Sequence, residues 1–91
     1  MIANSTWRKI DGEHVTLALQ KVLQTLDNAG GEVVLDFSVV QRIDPRAVRE
    51  LEKLAGSADD KAVKVALHGV NIDVYRVLKL VKLAPRFSFL S

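Results

Sequence analysis

Residues 32–47 join an apolar run to a helix start, and this combination restricts the possible folds more than any other segment. The run consists of Val33, Val34, Leu35 and Phe37. A run of this length is typical of a strand buried on both faces of a sheet. Asp44-Pro45 then opens a helix, since aspartate is a favoured N-cap and proline loses no needed hydrogen bond at the first helical position. The segment predicts a strand (32–38), a loop, and a helix whose start faces solvent.

Helical periodicity appears before and after this strand. Residues 14–28 repeat apolar side chains at the spacing of a helix with one buried face: Val15, Ala18, Leu19, Val22, Leu23 and Leu26. Asn28-Ala29-Gly30-Gly31 predicts the end of that helix. A second helix is predicted over 45–55, with Gly56 as its cap and this inner face: Ala47, Val48, Leu51, Leu54 and Ala55.

The rest of the chain continues the alternation. Residues 63–68 alternate apolar and polar side chains, which predicts a strand. Asn71 is a candidate N-cap for a third helix that Pro85 ends, and its predicted inner face comprises Val74, Val77, Leu78 and Val81. Shorter strands are predicted over 6–10 and 86–90.

This order implies a parallel or mixed sheet with right-handed crossovers and helices packed against it. The predicted fold class is α/β, with a small mixed four-stranded sheet and three or four helices packed mainly on one face. Burial of each Val or Leu contributes about 1.5–3 kcal/mol, so apolar burial decides the fold. We expect residues 1–91 to form a single domain.

Composition excludes several classes of protein. The chain is 48% hydrophobic and 26% charged, as in folded soluble proteins. No apolar run approaches the roughly 20 residues of a membrane span, and the first residues lack a signal peptide pattern. Cysteine is absent, which excludes disulfides and thiolate metal sites. We expect a cytoplasmic protein without direct membrane insertion.

The net charge of +2 is small and unevenly divided. Residues 1–41 carry three basic and five acidic groups (−2), whereas residues 42–91 carry ten basic and six acidic groups (+4). Nucleic-acid binders usually carry a denser basic patch, so we expect no nucleic-acid partner.

Three arginines gather at the start of the second helix: Arg42, Arg46 and Arg49. A functional interpretation is contact with an acidic partner or a phosphate, helped by the free N–H groups there. The structural alternative is a solvated surface with loose ion pairs worth roughly 0–1 kcal/mol each. An interface also needs an apolar centre, for which Val39 and Val40 are candidates.

Catalytic patterns are weak. Asp36 and Asp44 form a tempting acid pair, but acid–base catalysis requires a pocket and a mutual geometry that the sequence does not provide. His14 and His68 lack a third ligand for a metal, and no glycine-rich phosphate loop is present. We therefore predict that the protein is not an enzyme and needs no metal or cofactor.

Residues 33–44, 63–71 and 74–83 together resemble a STAS domain, the fold of bacterial anti-sigma factor antagonists. The first segment is similar to that family's strand, loop and aspartate before the switch helix. The second is similar to the next strand and turn, and the third to the closing helix. The resemblance implies a non-enzymatic protein-binding domain in bacterial signalling and transcription regulation, with a partner such as an anti-sigma kinase.

One departure from this family concerns its phosphorylation site. Partner-switching antagonists typically read Asp-Ser-Ser-Gly or Asp-Ser-Thr-Gly where this chain has Asp44, Pro45, Arg46 and Ala47. Pro45 occupies the position of the phosphorylated serine, and neither Pro45 nor Arg46 has a hydroxyl group. The nearest hydroxyl upstream belongs to Ser38. The resemblance therefore predicts a domain that cannot use the serine switch.

Two alternatives remain open. Gly69-Val70-Asn71, Val74-Tyr75 and Lys79-Leu80 resemble the STAS subunit of Mla-type phospholipid ABC transporters, which implies binding to a transporter ATPase. Some STAS domains also bind nucleotides or other small ligands. A homodimer is left open as well. In the main interpretation, the partner-binding residues are Arg42, Asp44, Pro45, Arg46, Ala47 and Arg49.

Overall fold

The computed structural model describes residues 5–26 and 31–90. The elements, in order, are β1 (Ser5–Lys9), α1 (Val15–Gln24), β2 (Glu32–Asp36), α2 (Pro45–Asp60), β3 (Lys64–His68), α3 (Ile72–Leu80), a 3₁₀ turn (Ala84–Arg86) and β4 (Ser88–Leu90). Strands and helices alternate as predicted, and the α/β fold class with four strands and three α-helices is confirmed.

The four strands lie in the order β1-β2-β3-β4. Each neighbouring pair is parallel, so that Trp7, Val34, Ala66 and Ser88 share one row across the sheet. The mixed sheet of the sequence prediction is thus corrected to a parallel one in the described part of the chain. The reason is that a helix lies in every connection, and a crossover of this kind joins parallel strands.

The main core lies between the sheet and the helices. Val33, Leu35, Val65 and Leu67 project from the strands into this core, which continues into all three helices through side chains such as Leu19, Leu51 and Leu78. Val34 and Ala66 are buried too but lie outside that cluster. Since side chains alternate along a strand, they face the opposite side of the sheet. The indole of Trp7 lies on that side, 5.4 Å from the His68 ring.

The apolar face predicted for α1 is confirmed, because Leu19, Val22 and Leu26 are buried. The helix itself ends at Gln24, four residues earlier than predicted. The Thr25 hydroxyl donates to carbonyl oxygens of the last turn, at 3.3 Å from Lys21 O and 3.1 Å from Val22 O. Most of the predicted stop lies in 27–30, outside the described residues.

Helix α2 is longer than predicted, and the interpretation of Gly56 as its cap is wrong. The helix continues to Asp60, with Lys61 as its C-cap. Ala58 extends the buried face by another turn, and an interior glycine costs only about 1 kcal/mol. The chain leaves the helix just after this cap, at Ala62, which takes the left-handed conformation (φ 56°).

Helix α3 begins as predicted, since the Asn71 carboxamide oxygen accepts the Val74 N–H at 2.8 Å. It ends at Leu80, before Pro85. Lys82 adopts φ 63°, and the Leu83 N–H returns to Leu78 O at 2.8 Å, which is the pattern of a Schellman cap. This early end leaves Val81 37% exposed, so its predicted place on the inner face is wrong.

A buried carboxylate links α1 to α2. Glu50 is 7% exposed. One of its carboxylate oxygens accepts a hydrogen bond from Gln20 at 3.4 Å and lies 3.5 Å from the Lys53 ammonium. A buried charge requires partners of this kind. The contact joins α1 to α2 in addition to their apolar packing.

Candidate functional site

The start of α2 has the geometry that the sequence predicts. Asp44 has extended backbone angles, and its carboxylate accepts the Ala47 N–H at 2.9 Å. Pro45 is the first helical residue. The side chains of Asp44, Pro45 and Arg46 are exposed, whereas Ala47 is buried in the core. The outer surface of this helix start therefore consists of a carboxylate, a pyrrolidine ring and a guanidinium group.

The three arginines around this start remain solvated. Arg42, Arg46 and Arg49 are all exposed. Within residues 5–26 and 31–90 none of them forms an ion pair with a carboxylate. The loose ion pairs expected in the structural alternative are therefore absent from the described residues. A cation in the first turn of a helix also opposes the helix dipole. Contacts within the described residues therefore do not explain the presence of the three arginines.

An open groove of about 620 Å³ runs between the starts of α1 and α2. Arg42, Asp44 and Arg46 line its α2 side, and residues 12–17 line its α1 side. Arg49 is not among its lining residues. Parallel strands place both helix starts at the carboxyl edge of the sheet, and the neighbouring positions of β1 and β2 bring them together.

The loop between β2 and α2 carries the apolar part of the site. Val39 is 48% exposed, whereas Val40 is buried at 2%, so Val39 alone of these two candidates can offer an apolar contact. The Asn71 amide nitrogen donates to Val40 O at 3.2 Å and to Gln41 O at 3.0 Å. Asn71 thus caps α3 and braces this loop at the same time.

Sequence reasoning found the first role of Asn71 and missed the second. A cap is visible in the sequence because it acts within a few residues. A brace joins residues about thirty positions apart and depends on how the two loops meet in the fold.

Asp36 and Ser38 form a local turn at the carboxyl end of β2. The Ser38 backbone N–H donates to the Asp36 carboxylate at 3.0 Å. The Ser38 side chain and then this N–H hold the pKa of Asp36 below its usual value. Asp36 therefore serves the turn, and its lowered pKa makes it a weak proton acceptor at neutral pH.

The two histidines are engaged separately. His14 lies 3.1 Å from the Asp11 carboxylate, and His68 packs edge-on against Trp7. In the described part of the chain no three His, Cys, Asp or Glu side chains come together as a metal site would require.

The matching family model is that of the STAS domain, which covers residues 6–90. The chain belongs to the STAS family. STAS domains generally mediate contacts between proteins. In the residues that the structure describes, no helix combines the length and apolar character needed to cross a membrane.

Solved structures share the STAS fold with this chain. The solution structure of the protein TM1081 gives a TM-score of 0.77 at 20% identity, covering 100% of this chain and 77% of that one. A crystal structure of the Thermotoga maritima protein, a proposed anti-sigma factor antagonist, gives 0.71 at 24% identity, with 100% and 76% coverage. A sulfate transporter family protein from Wolinella succinogenes gives 0.78 at 20% identity, with 98% and 79% coverage. No curated protein matches the sequence.

Proposed function

We propose that this STAS domain is a non-enzymatic regulatory module of the anti-sigma factor antagonist type, and that it binds an acidic protein partner at the start of α2. The contact surface consists of Arg42, Asp44, Pro45, Arg46 and Arg49, with Val39, which lines a neighbouring cavity together with Arg42, as its apolar contact. Ala47 contributes by packing beneath this surface rather than by touching the partner. The domain acts in the bacterial cytoplasm and is not switched by phosphorylation at the helix start.

The observation that carries this proposal is the unpaired state of the three arginines beside a capped helix start. All three are exposed, and no carboxylate of the described residues neutralises them. Complementary charge across an interface increases the rate of association and the specificity for the right partner. A partner with carboxylates opposite these guanidinium groups fits this surface.

Replacing Arg46 with glutamate should weaken partner binding about tenfold or more, since it places like charges across the interface. The thermal stability should stay the same or rise slightly, because an anion near a helix N-terminus is favourable by about 0.3–1 kcal/mol. Calorimetric titration with the partner and thermal denaturation measure the two effects. The partner is first isolated by pull-down from the source cell.

Arg8→Glu is the matched control for this experiment. It makes the same charge change at an exposed position on β1, in a groove that includes no residue of α2. Binding should survive it. The proposal fails if both variants bind equally well, or if Arg46→Glu lowers the melting temperature by several degrees while binding persists.

Incubation with ATP and a partner-switching kinase should leave residues 44–47 unmodified, since no hydroxyl is present there. The variant Pro45→Ser restores the hydroxyl and should gain phosphate under the same conditions. Mass spectrometry of the digested protein measures both. A phosphopeptide containing Ser38 in the wild type would contradict the absence of a serine switch.

The alternative partner is the ATPase of a transport assembly, which would use the same surface. The ATPase would also be recognised through carboxylates opposite the three arginines. Identification of the captured protein therefore distinguishes a transporter ATPase from an anti-sigma type partner. If a nucleotide or another small ligand were bound instead, it would raise the melting temperature in proportion to the logarithm of its concentration.

A further inference from the structure

A second surface, separate from the start of α2, is formed where α3 meets β4. Four large hydrophobic side chains that are exposed in residues 5–26 and 31–90 meet here: Ile72, Tyr75, Phe89 and Leu90. We name Ile72, Tyr75, Phe89 and Leu90 the α3–β4 patch. Exposed apolar side chains that are scattered singly need no explanation, but a contiguous group marks an interaction surface.

The α3–β4 patch surrounds a shallow cavity. Its four side chains, together with Val70 and Asn71, line about 360 Å³. The Tyr75 and Phe89 rings meet edge to face at 5.2 Å and 81°, a geometry that aromatic pairs favour. The cavity therefore has a fixed aromatic wall and an exposed aliphatic rim, with Ile72 at 65% exposure.

Basic residues outnumber acidic ones along α3 and the segment that leads to β4. Four cations, Arg76, Lys79, Lys82 and Arg86, lie within residues 72–90, against one acid, Asp73. Arg86 is paired with Asp59 at 2.6 Å. The Lys79 ammonium lies 5.9 Å from the centre of the Tyr75 ring, and Arg76 is exposed with no ion pair to the described residues. The apolar cavity thus lies beside two cations, Arg76 and Lys79, that form no ion pair within the described residues, although Asp73 lies three residues before Arg76.

We propose that the α3–β4 patch binds an acidic segment of another protein, whose aromatic or aliphatic side chain fills the cavity. Carboxylates of that segment contact Arg76 and Lys79. An acidic segment is proposed because its charge is opposite to that of Arg76 and Lys79. The residues that contact this segment are distinct from those proposed to contact the partner at the α2 start.

Two other occupants fit the surface less well. A second copy of this chain would bring Arg76 and Lys79 of both molecules together, and like charges oppose that pairing. An interfacial helix lies on a bilayer with its apolar face inserted. The apolar face of α3, formed by Val74 and Leu78, is already buried in the core, so the helix cannot insert in this way.

A displayed library of random short peptides, selected against the full chain, tests the proposal. The enriched peptides should carry Asp or Glu beside an aromatic or aliphatic residue. Binding of one such synthetic peptide, measured by fluorescence anisotropy, should weaken about tenfold with Ile72→Ser and with Arg76→Glu. It should stay within about twofold of the wild type with Arg46→Glu. Ile72 and Arg76 are both exposed, so the two variants should keep the wild-type melting temperature.

Several outcomes would overturn this proposal. The proposal fails if no peptides are enriched or if the enriched peptides lack acidic residues. It also fails if neither Ile72→Ser nor Arg76→Glu weakens peptide binding, or if only Arg46→Glu does. Binding to vesicles of mixed neutral and anionic phospholipid, in the absence of peptide binding, would assign the patch to a membrane surface instead. Concentration-dependent dimers that dissociate with Ile72→Ser would assign it to a second copy. Since Arg46→Glu tests the α2 start separately, failure of either proposal is recognised without the other.

Discussion

Phe37→Ala should reduce the free energy of unfolding by about 3–5 kcal/mol, the usual cost of removing a buried phenylalanine side chain. Phe37 is fully buried and is the largest such side chain among the described residues. Its backbone N–H also donates to His68 O at 2.8 Å, and its carbonyl accepts the Val40 N–H at 2.9 Å. The residue therefore fills the core and anchors the loop that leads to Arg42.

A loss of this size is a large part of the roughly 5–15 kcal/mol that stabilises a typical domain. For a chain of this length the melting temperature should fall by roughly 12–40 °C. Phe89→Ala removes the same side chain from a position that is 37% exposed, and its effect should be clearly smaller. Chemical denaturation of both variants checks the difference. Equal losses would mean that Phe37 is not the core anchor described above.

Gly12→Ala should destabilise the protein by about 1–3 kcal/mol, as expected when a methyl group enters a space that is already filled. A Cβ at Gly12 would lie 2.2 Å from the carbonyl oxygen of Val39 and 3.1 Å from its carbonyl carbon. Both contacts are with backbone atoms, so no side-chain rotation relieves them. The loop before α1 and the loop before α2 would have to separate.

This separation should also weaken partner binding at the α2 start, since the second loop carries Val39 and Arg42. Gly56→Ala is the matched control. No atom outside its own helix and its chain neighbours lies within 4 Å of the added Cβ, and alanine is better than glycine in a helix interior by about 0.5–1 kcal/mol. Gly56→Ala should therefore raise stability and leave binding unchanged. If Gly12→Ala behaves like Gly56→Ala, the two loops are not in the contact described.

Local patterns predicted the elements well, and their ends less well. Burial of Val33, Val34 and Leu35 and the caps at Asp44 and Asn71 follow from neighbouring residues, and all are found in the structure. The helix ends were misjudged because glycine and proline were expected to mark them. Two other residues in left-handed conformations, Ala62 and Lys82, end α2 and α3 instead. Packing can impose that conformation on a residue that does not favour it alone.

Sequence reasoning predicted a partner-binding site at the start of α2 but described only one side of the groove that the structure shows there. The α1 side of the groove was missed, although neighbouring parallel strands would have brought both helix starts to one edge of the sheet. The contact of Gly12 with Val39 and the brace from Asn71 could not be predicted, because each depends on the meeting of two distant loops. The burial of Ala47 was visible in the helical spacing, so its membership of the exposed surface could have been questioned from the sequence.

The order of the strands in the sheet bears on how the chain assembles during synthesis. Because β1, β2, β3 and β4 lie side by side in the order in which the ribosome produces them, each new strand docks at the growing edge. No later strand has to be threaded between two that are already paired. Domains generally begin to fold from their N-terminal part during translation, and this arrangement allows each completed strand–helix unit to serve as the template for the next.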